Sequence, residues 1–190
     1  MNYKVISNNK LKTTTWQGGT TTELYIFPED SNYQERNFEF RISTAQVNLE
    51  ESDFTSLPNI NRELMILDGS IEITHENHYS KKLNKFDTDS FKGDWKTSAK
   101  GTCVDFNIMM KENYNGKIEV LSLKSNQKLS FTCIHDFSVF YVNKGEISIE
   151  ITNKAHLLKK GDVFVLIEKV NLEINSKNKC EILISKIDLK

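Results

Sequence analysis

Apolar side chains in this chain recur at every second position, in strings too short for helices. Thr22, Leu24 and Ile26 alternate with Thr21, Glu23 and Tyr25, and Phe38, Phe40 and Ile42 alternate with Glu39, Arg41 and Ser43. The pattern returns in Phe106, Ile108 and Met110 against Asp105, Asn107 and Met109. It returns again in Ile147, Ile149 and Ile151 against Ser148, Glu150 and Thr152. A period of two predicts half-buried strands. Most of the glycines fall at predicted turns: Asp68-Gly69, Lys92-Gly93-Asp94, Asn115-Gly116, Lys144-Gly145 and Lys160-Gly161-Asp162. Many short strands with turn signals between them predict an all-β sandwich or barrel.

The chain also repeats itself. Leu64-Met-Ile-Leu-Asp-Gly69 followed by Ser70-Ile-Glu-Ile-Thr has a counterpart in Val139–Gly145 followed by Glu146-Ile-Ser-Ile-Glu. Each copy leads to a Gly-Asp turn, Gly93-Asp94 in the first and Gly161-Asp162 in the second. Strand, glycine turn, strand, then Gly-Asp turn and strand resembles the rhythm of the cupin barrel, a double-stranded β-helix of jelly-roll type. Two copies imply a bicupin, with a first barrel over 1–113 and a second, degenerate barrel over 114–190.

Cupin enzymes hold a metal through G-x5-H-x-H-x3,4-E-x6-G and G-x5-P-x-G-x2-H-x3-N, where imidazoles and one carboxylate leave open coordination positions. Seven residues before Gly69, at the glutamate position, stands Arg62; seven before Gly145 stands Ser138. Three after Gly93 is Lys96, and three after Gly161 is Phe164. No histidine lies between Thr55 and Gly69. The expectation is no metal and no cofactor. His75-Glu-Asn-His78 reads as a hairpin tip at the surface.

Arginine at the glutamate position reverses the charge there and suits an anion. The choice is pointed, because lysine outnumbers arginine 22 to 3 in this chain. Arg41 and Arg62 lie inside strand-like strings, and a planar fork gives bidentate recognition of a carboxylate that lysine cannot reproduce. Ion pairing with Glu or Asp within a sheet is the competing use of the same residues. Arg36 lies in the polar stretch Asn32–Asn37, read as a loop outside the motifs.

Four blocks in order resemble the HutD/Ves family of bicupins over about Trp16–Met110. They are Trp16-Gln-Gly18-Gly19-Thr-Thr21-Thr-Glu23 running to Pro28, Phe38-Glu-Phe-Arg41-Ile-Ser43-Thr-Ala45, Phe54–Pro58 running through Arg62 to Gly69, and Asp105-Phe-Asn107-Ile-Met109. The resemblance implies a metal-independent protein tied to histidine utilisation, one that binds a metabolite such as urocanate or formylglutamate. The same blocks supply the candidate ligand site: Trp16, Thr21, Glu23, Arg41, Ser43, Arg62, Asp105 and Asn107. Arg41 and Arg62 offer forks for a carboxylate, Asn107 an amide, and Glu23 an anchor for an arginine. Trp16 beside two glycines offers a stacking wall. No catalytic residue is assigned. The competing reading is a metal-independent isomerase or lyase using Glu23 or Asp105 as general base.

Charge narrows the partners. Net charge is -1, and neither half carries the dense basic stripe that phosphate neutralisation needs, so nucleic acid is not expected. No run of apolar residues reaches membrane-spanning length, and the start of the chain lacks the apolar core of a signal peptide. Cys103, Cys133 and Cys180 form no C-x-x-C pair and read as buried thiols. The expectation is a cytoplasmic regulator of amino-acid catabolism whose partner is a small anionic metabolite, with homodimer formation left open.

Overall fold

Alternating side chains become paired strands wherever a turn residue lets the chain reverse. The computed structural model describes residues 2–190, and among them one 3-10 turn, Asn8–Lys10, and nineteen strands. In chain order these are β1 (Tyr3–Ile6), β2 (Lys12–Trp16), β3 (Gly19–Phe27), β4 (Phe40–Val47), β5 (Glu51–Asp53), β6 (Ile60–Gly69), β7 (Ile71–His75), β8 (Tyr79–Leu83), β9 (Thr88–Lys92), β10 (Thr97–Lys100) and β11 (Cys103–Lys111). Then follow β12 (Tyr114–Leu123), β13 (Lys128–Cys133), β14 (Phe137–Lys144), β15 (Glu146–Ile151), β16 (Lys154–Lys159), β17 (Val163–Leu166), β18 (Val170–Ser176) and β19 (Cys180–Leu189). No described helix is long and apolar enough to cross a membrane.

The strands fall into two units. One is Lys12–Asn115; the other joins the segment up to Leu11 to Gly116–Lys190. This differs from a first barrel over 1–113 at the start of the chain. There β1 pairs antiparallel with β17, Tyr3 opposite Leu166 and Ile6 opposite Val163. Tyr3 stacks on Phe164 at 5.5 Å and its hydroxyl lies 3.1 Å from His156 Nε2. Four residues of local pattern carry no information about so distant a partner.

In the unit Lys12–Asn115, a six-stranded sheet of order β2-β3-β4-β11-β6-β9 accompanies a four-stranded sheet of order β5-β10-β7-β8. Leu64, Ile66 and Phe91 from the first cluster with Ile71, Ile73, Leu83 and Ala99 from the second. The central strands β4 and β11 are buried on both faces, not half-buried as the alternation predicts. Phe40, Ile42, Phe106 and Ile108 fill one side, while Arg41, Ser43, Asp105 and Asn107 are equally withdrawn on the other. Their polar face looks into a cavity, so polarity in the sequence does not mean exposure.

The other unit has sheets of order β1-β17-β14-β19-β12 and β13-β18-β15-β16. Phe140, Val142, Ile147, Ile149, Phe164, Leu172 and Ile184 occupy its interior. Apolar side chains take the place where the first unit has its polar pocket.

The repeat is real but its register differs from the glycine-based reading. Gly69 and Gly145 match, both with positive φ (76° and 87°) between consecutive strands. The partner of Gly161-Asp162, however, is Phe86-Asp87. Gly161 donates its N–H to Val142 O as Phe86 does to Ile66 O. Asp162 accepts the Lys159 N–H at 2.8 Å as Asp87 accepts that of Asn84 at 2.9 Å. Phe86 adopts φ of 68°, a conformation glycine reaches without strain, so the glycine signature is missing from the first copy. With Gly161 as the opening glycine of the second cupin motif, its histidine position falls on Thr97 and Leu172, not on Lys96 and Phe164. Both are buried, and neither is a usual metal ligand.

His75 is not at a surface tip. It continues the inward series Ile71, Ile73, His75 of β7 and is 1% exposed. Its Nδ1 lies 2.8 Å from Thr97 Oγ1 and its Nε2 2.8 Å from Asp89 Oδ2. Tyr79 donates to Asp89 Oδ1 at 3.0 Å, and Trp95 and Phe91 pack on the imidazole ring.

Candidate ligand pocket

The polar face of β4 and β11 opens into a cavity of about 370 Å³ within the unit Lys12–Asn115. Register builds it: on β11, Asn107 stands opposite Ser43 of β4, and Met109 stands between Arg41 of β4 and Arg62 of β6. Seven of the eight sequence-predicted residues line it: Trp16, Thr21, Arg41, Ser43, Arg62, Asp105 and Asn107. The eighth, Glu23, is not on the wall but accepts the Arg41 Nε hydrogen at 2.7 Å. An irregularity in the β3–β4 pairing between Glu23 and Tyr25 accompanies this placement.

The two guanidiniums are held differently. Arg41 is anchored by Glu23, reaches Ser43 Oγ at 3.4 Å, and lies 4.4 Å from the centre of the Tyr33 ring. Arg62 donates through Nε and Nη2 to Asn107 Oδ1, at 3.3 and 2.9 Å, and lies against Phe54 and Phe91. Asn107 then donates from Nδ2 to Asp105 Oδ1 at 3.1 Å. Asp105 thus pairs directly with neither arginine, and the amide relays between it and Arg62. Among the described residues Arg41 Nη2 and Arg62 Nη1 have no hydrogen-bond partner, and neither is sealed from the cavity.

Burial shifts both members of the relay. It raises the Asp105 carboxyl to about 6, against the Asn107 hydrogen bond and the Arg62 charge. It lowers Arg62 to about 10; Asp105 and Tyr33 oppose that shift, and Arg41 adds to it. Arg62 remains a cation at neutral pH.

The rim explains the two glycines after Trp16. The indole lies over Gly18, where a Cβ would meet Trp16 Cζ3 at 2.0 Å. A Cβ on Gly19 would meet Gln46 O at 1.8 Å. Trp16 is 40% exposed, so it forms part of the wall near solvent and not the core.

The sequence reading missed two aromatic walls, Tyr33 and Phe54, which lie in loops without periodicity. An aromatic residue near an arginine-bearing strand was the available signal. Arg36, expected outside the site, has its guanidinium over the Tyr33 ring, 4.8 Å from the centroid. Tyr33 is therefore flanked by Arg36 and Arg41. Among the described residues no cluster of three or more His, Cys, Asp or Glu could hold a metal.

A family model described as HutD matches residues 8–184. The chain belongs to the HutD family. As a HutD-family bicupin it is similar in fold to HutD from Pseudomonas fluorescens SBW25, with a TM-score of 0.73 at 16% identity over 100% of both chains. A conserved protein of unknown function from Pseudomonas aeruginosa PAO1 gives a TM-score of 0.85 at 16% identity, covering 99% of this chain and 100% of the other. Bacillus subtilis oxalate decarboxylase, whose Mn(II) centres have been studied, gives 0.73 at 7% identity over 98% of this chain and 77% of that one. At these identities the structural likenesses concern the fold alone. No curated protein sequence matches the chain.

Proposed function

We propose that this HutD-family chain binds a small anionic metabolite in the cavity between Arg41 and Arg62 and serves as a regulator of histidine catabolism. The observation that carries the reading is the pair of buried guanidiniums with N–H groups left over for a guest, Arg41 Nη2 and Arg62 Nη1. Tyr33 and Phe54 supply flat apolar walls, as small-molecule sites commonly do. Urocanate and N-formylglutamate are the candidates that the family resemblance supplies. The site takes them without metal or cofactor.

Arg62→Lys tests the fork. Lysine keeps the charge but loses the two-pronged hold on Asn107 and the guanidinium's place over the Phe54 ring. Affinity should fall by about 1.5–3 kcal/mol, the scale of a charge-assisted hydrogen bond. Arg36 is unsuitable as the unaffected control because it touches Tyr33. Ser138→Ala replaces it: Ser138 lies on β14, in the unit with the apolar interior, and its loss should leave affinity within about threefold, under 1 kcal/mol. Calorimetry on the three proteins decides. Wild-type affinity in Arg62→Lys, or unfolding instead of weakened binding, makes Arg62 a structural residue. A large loss in Ser138→Ala places the site in the unit that holds Ser138 instead.

A second reading has one observation in its favour. Asp105, raised to about 6 by burial and linked to Arg62 through the Asn107 amide, has the properties of a general base for an isomerase or lyase acting on a small carboxylate. Proton exchange into bound urocanate or N-formylglutamate in D2O, followed by NMR, distinguishes the two. Binding without exchange or product supports the regulator.

A further inference from the structure

Each guanidinium in the cavity already has an acidic counterpart. Arg41 holds Glu23 directly at 2.7 Å, and Arg62 reaches Asp105 through the Asn107 amide. The two pairs balance. Of the other charged side chains on the wall, Asp53 is exposed at the rim and stays in water. A carboxylate that enters between the arginines therefore adds one negative charge to a balanced, buried set. An excess charge in such surroundings is normally relieved by a change of protonation.

Geometry selects the group that responds. Glu23 is in contact with its arginine and its side chain is 24% exposed. Asp105 is enclosed, touches no cation directly, and receives one hydrogen bond, on Oδ1. Its Oδ2 has no hydrogen-bond partner among the described residues and is not sealed from the cavity it lines. A proton there would turn that oxygen into a donor toward the guest.

The surrounding groups offer no alternative. Cys103 of β11 is held as a neutral thiol, pushed up to about 12 by burial and by the Asp105 charge. From β4 come Arg41 and Ser43, from β6 Arg62, and Tyr33 approaches from the loop before β4. A guanidinium has donors only and a hydroxyl is no base, so neither kind of group offers a place for the proton.

We propose that the cavity takes up its carboxylate together with a proton carried by Asp105, which makes Asp105 the residue that sets the ligand charge the site accepts. The inference rests on the anion-pocket reading of Arg41 and Arg62. Burial has already brought Asp105 to about 6, and an anion beside it raises it further, so the coupling operates around neutral pH.

Calorimetric titration with N-formylglutamate tests this, since both its carboxylates stay ionised above about pH 6 and the one that enters between the arginines is the charge the proton offsets. At pH 7, in buffers of differing ionisation enthalpy, wild-type protein should take up about one proton per ligand bound. Between about pH 6.5 and 8 its affinity should fall by up to tenfold per unit. Asp105→Asn, uncharged throughout, should show neither proton uptake nor pH-dependent affinity. Binding without proton uptake by the wild type overturns the inference and leaves the anion pocket standing. Failure of both N-formylglutamate and urocanate to bind at any pH overturns both.

Discussion

His75→Phe should destabilise the protein by about 3 kcal/mol, the scale of leaving a buried polar group without its hydrogen-bond partner. Phenylalanine keeps the ring contacts with Trp95, Phe91 and Tyr79, so lost packing is a minor part of the change. What disappears is the nitrogen at 2.8 Å from Asp89 Oδ2. Asp89 would keep the Tyr79 hydroxyl and a lysine, Lys81, at 3.7 Å, but its side chain is 4% exposed and a carboxylate there needs more. Thr97 Oγ1 loses the same ring's Nδ1. Chemical denaturation should show the loss, and adding Asp89→Leu to His75→Phe should recover much of it, because removing both polar partners removes the orphaned charge. A single-variant loss below about 1 kcal/mol would mean that water replaces the imidazole and that the network is not sealed.

Asp105→Asn should act in the opposite direction. The Asp105 carboxyl titrates near 6 in the folded protein and near 3.8 when free, a rise caused first by burial. A carboxyl raised on folding favours the fold while it is protonated. That contribution is complete below about pH 4 and is lost as the pH climbs through about 6. About two units of displacement correspond to ~3 kcal/mol, so the unliganded variant should exceed wild type by that order at pH 7.5 and match it near pH 4. Asparagine retains an oxygen to accept the Asn107 Nδ2 hydrogen, which keeps the substitution nearly isosteric. If the variant were instead less stable at pH 7.5, Asp105 would be the counter-ion that keeps Arg62 folded.

The strands and the family were legible because period-two alternation and four motif blocks are local signals. The pocket was legible for a related reason. Arg41, Ser43, Asp105 and Asn107 occupy alternate positions on two strands, and pairing them in register brings their side chains to one face. What escaped depended on distant contacts or on one unusual backbone angle. Phe86 stands at positive φ where its repeat partner is Gly161, so glycines alone placed the second motif wrongly. The asparagine and His78 that follow His75 give it a local turn signal. The better signal was its phase with Ile71 and Ile73, which sends it inward. Tyr33 and Phe54 belong to segments without a repeat, and only the folded chain shows that they face the arginines.

The pairing of β1 with β17 has a consequence for how the molecule assembles. The unit Lys12–Asn115 is contiguous in the chain and can close on itself as soon as its last strand has left the ribosome. The other unit has its first edge strand made first and must hold it unpaired until Val163–Leu166 emerges. Its closure spans nearly the whole chain, and contacts of such long sequence separation form slowly. Folding should therefore proceed in two stages, with the arginine-lined cavity complete before the second barrel. A deletion of Tyr3–Ile6 should then leave the early stage untouched and delay or abolish the late one.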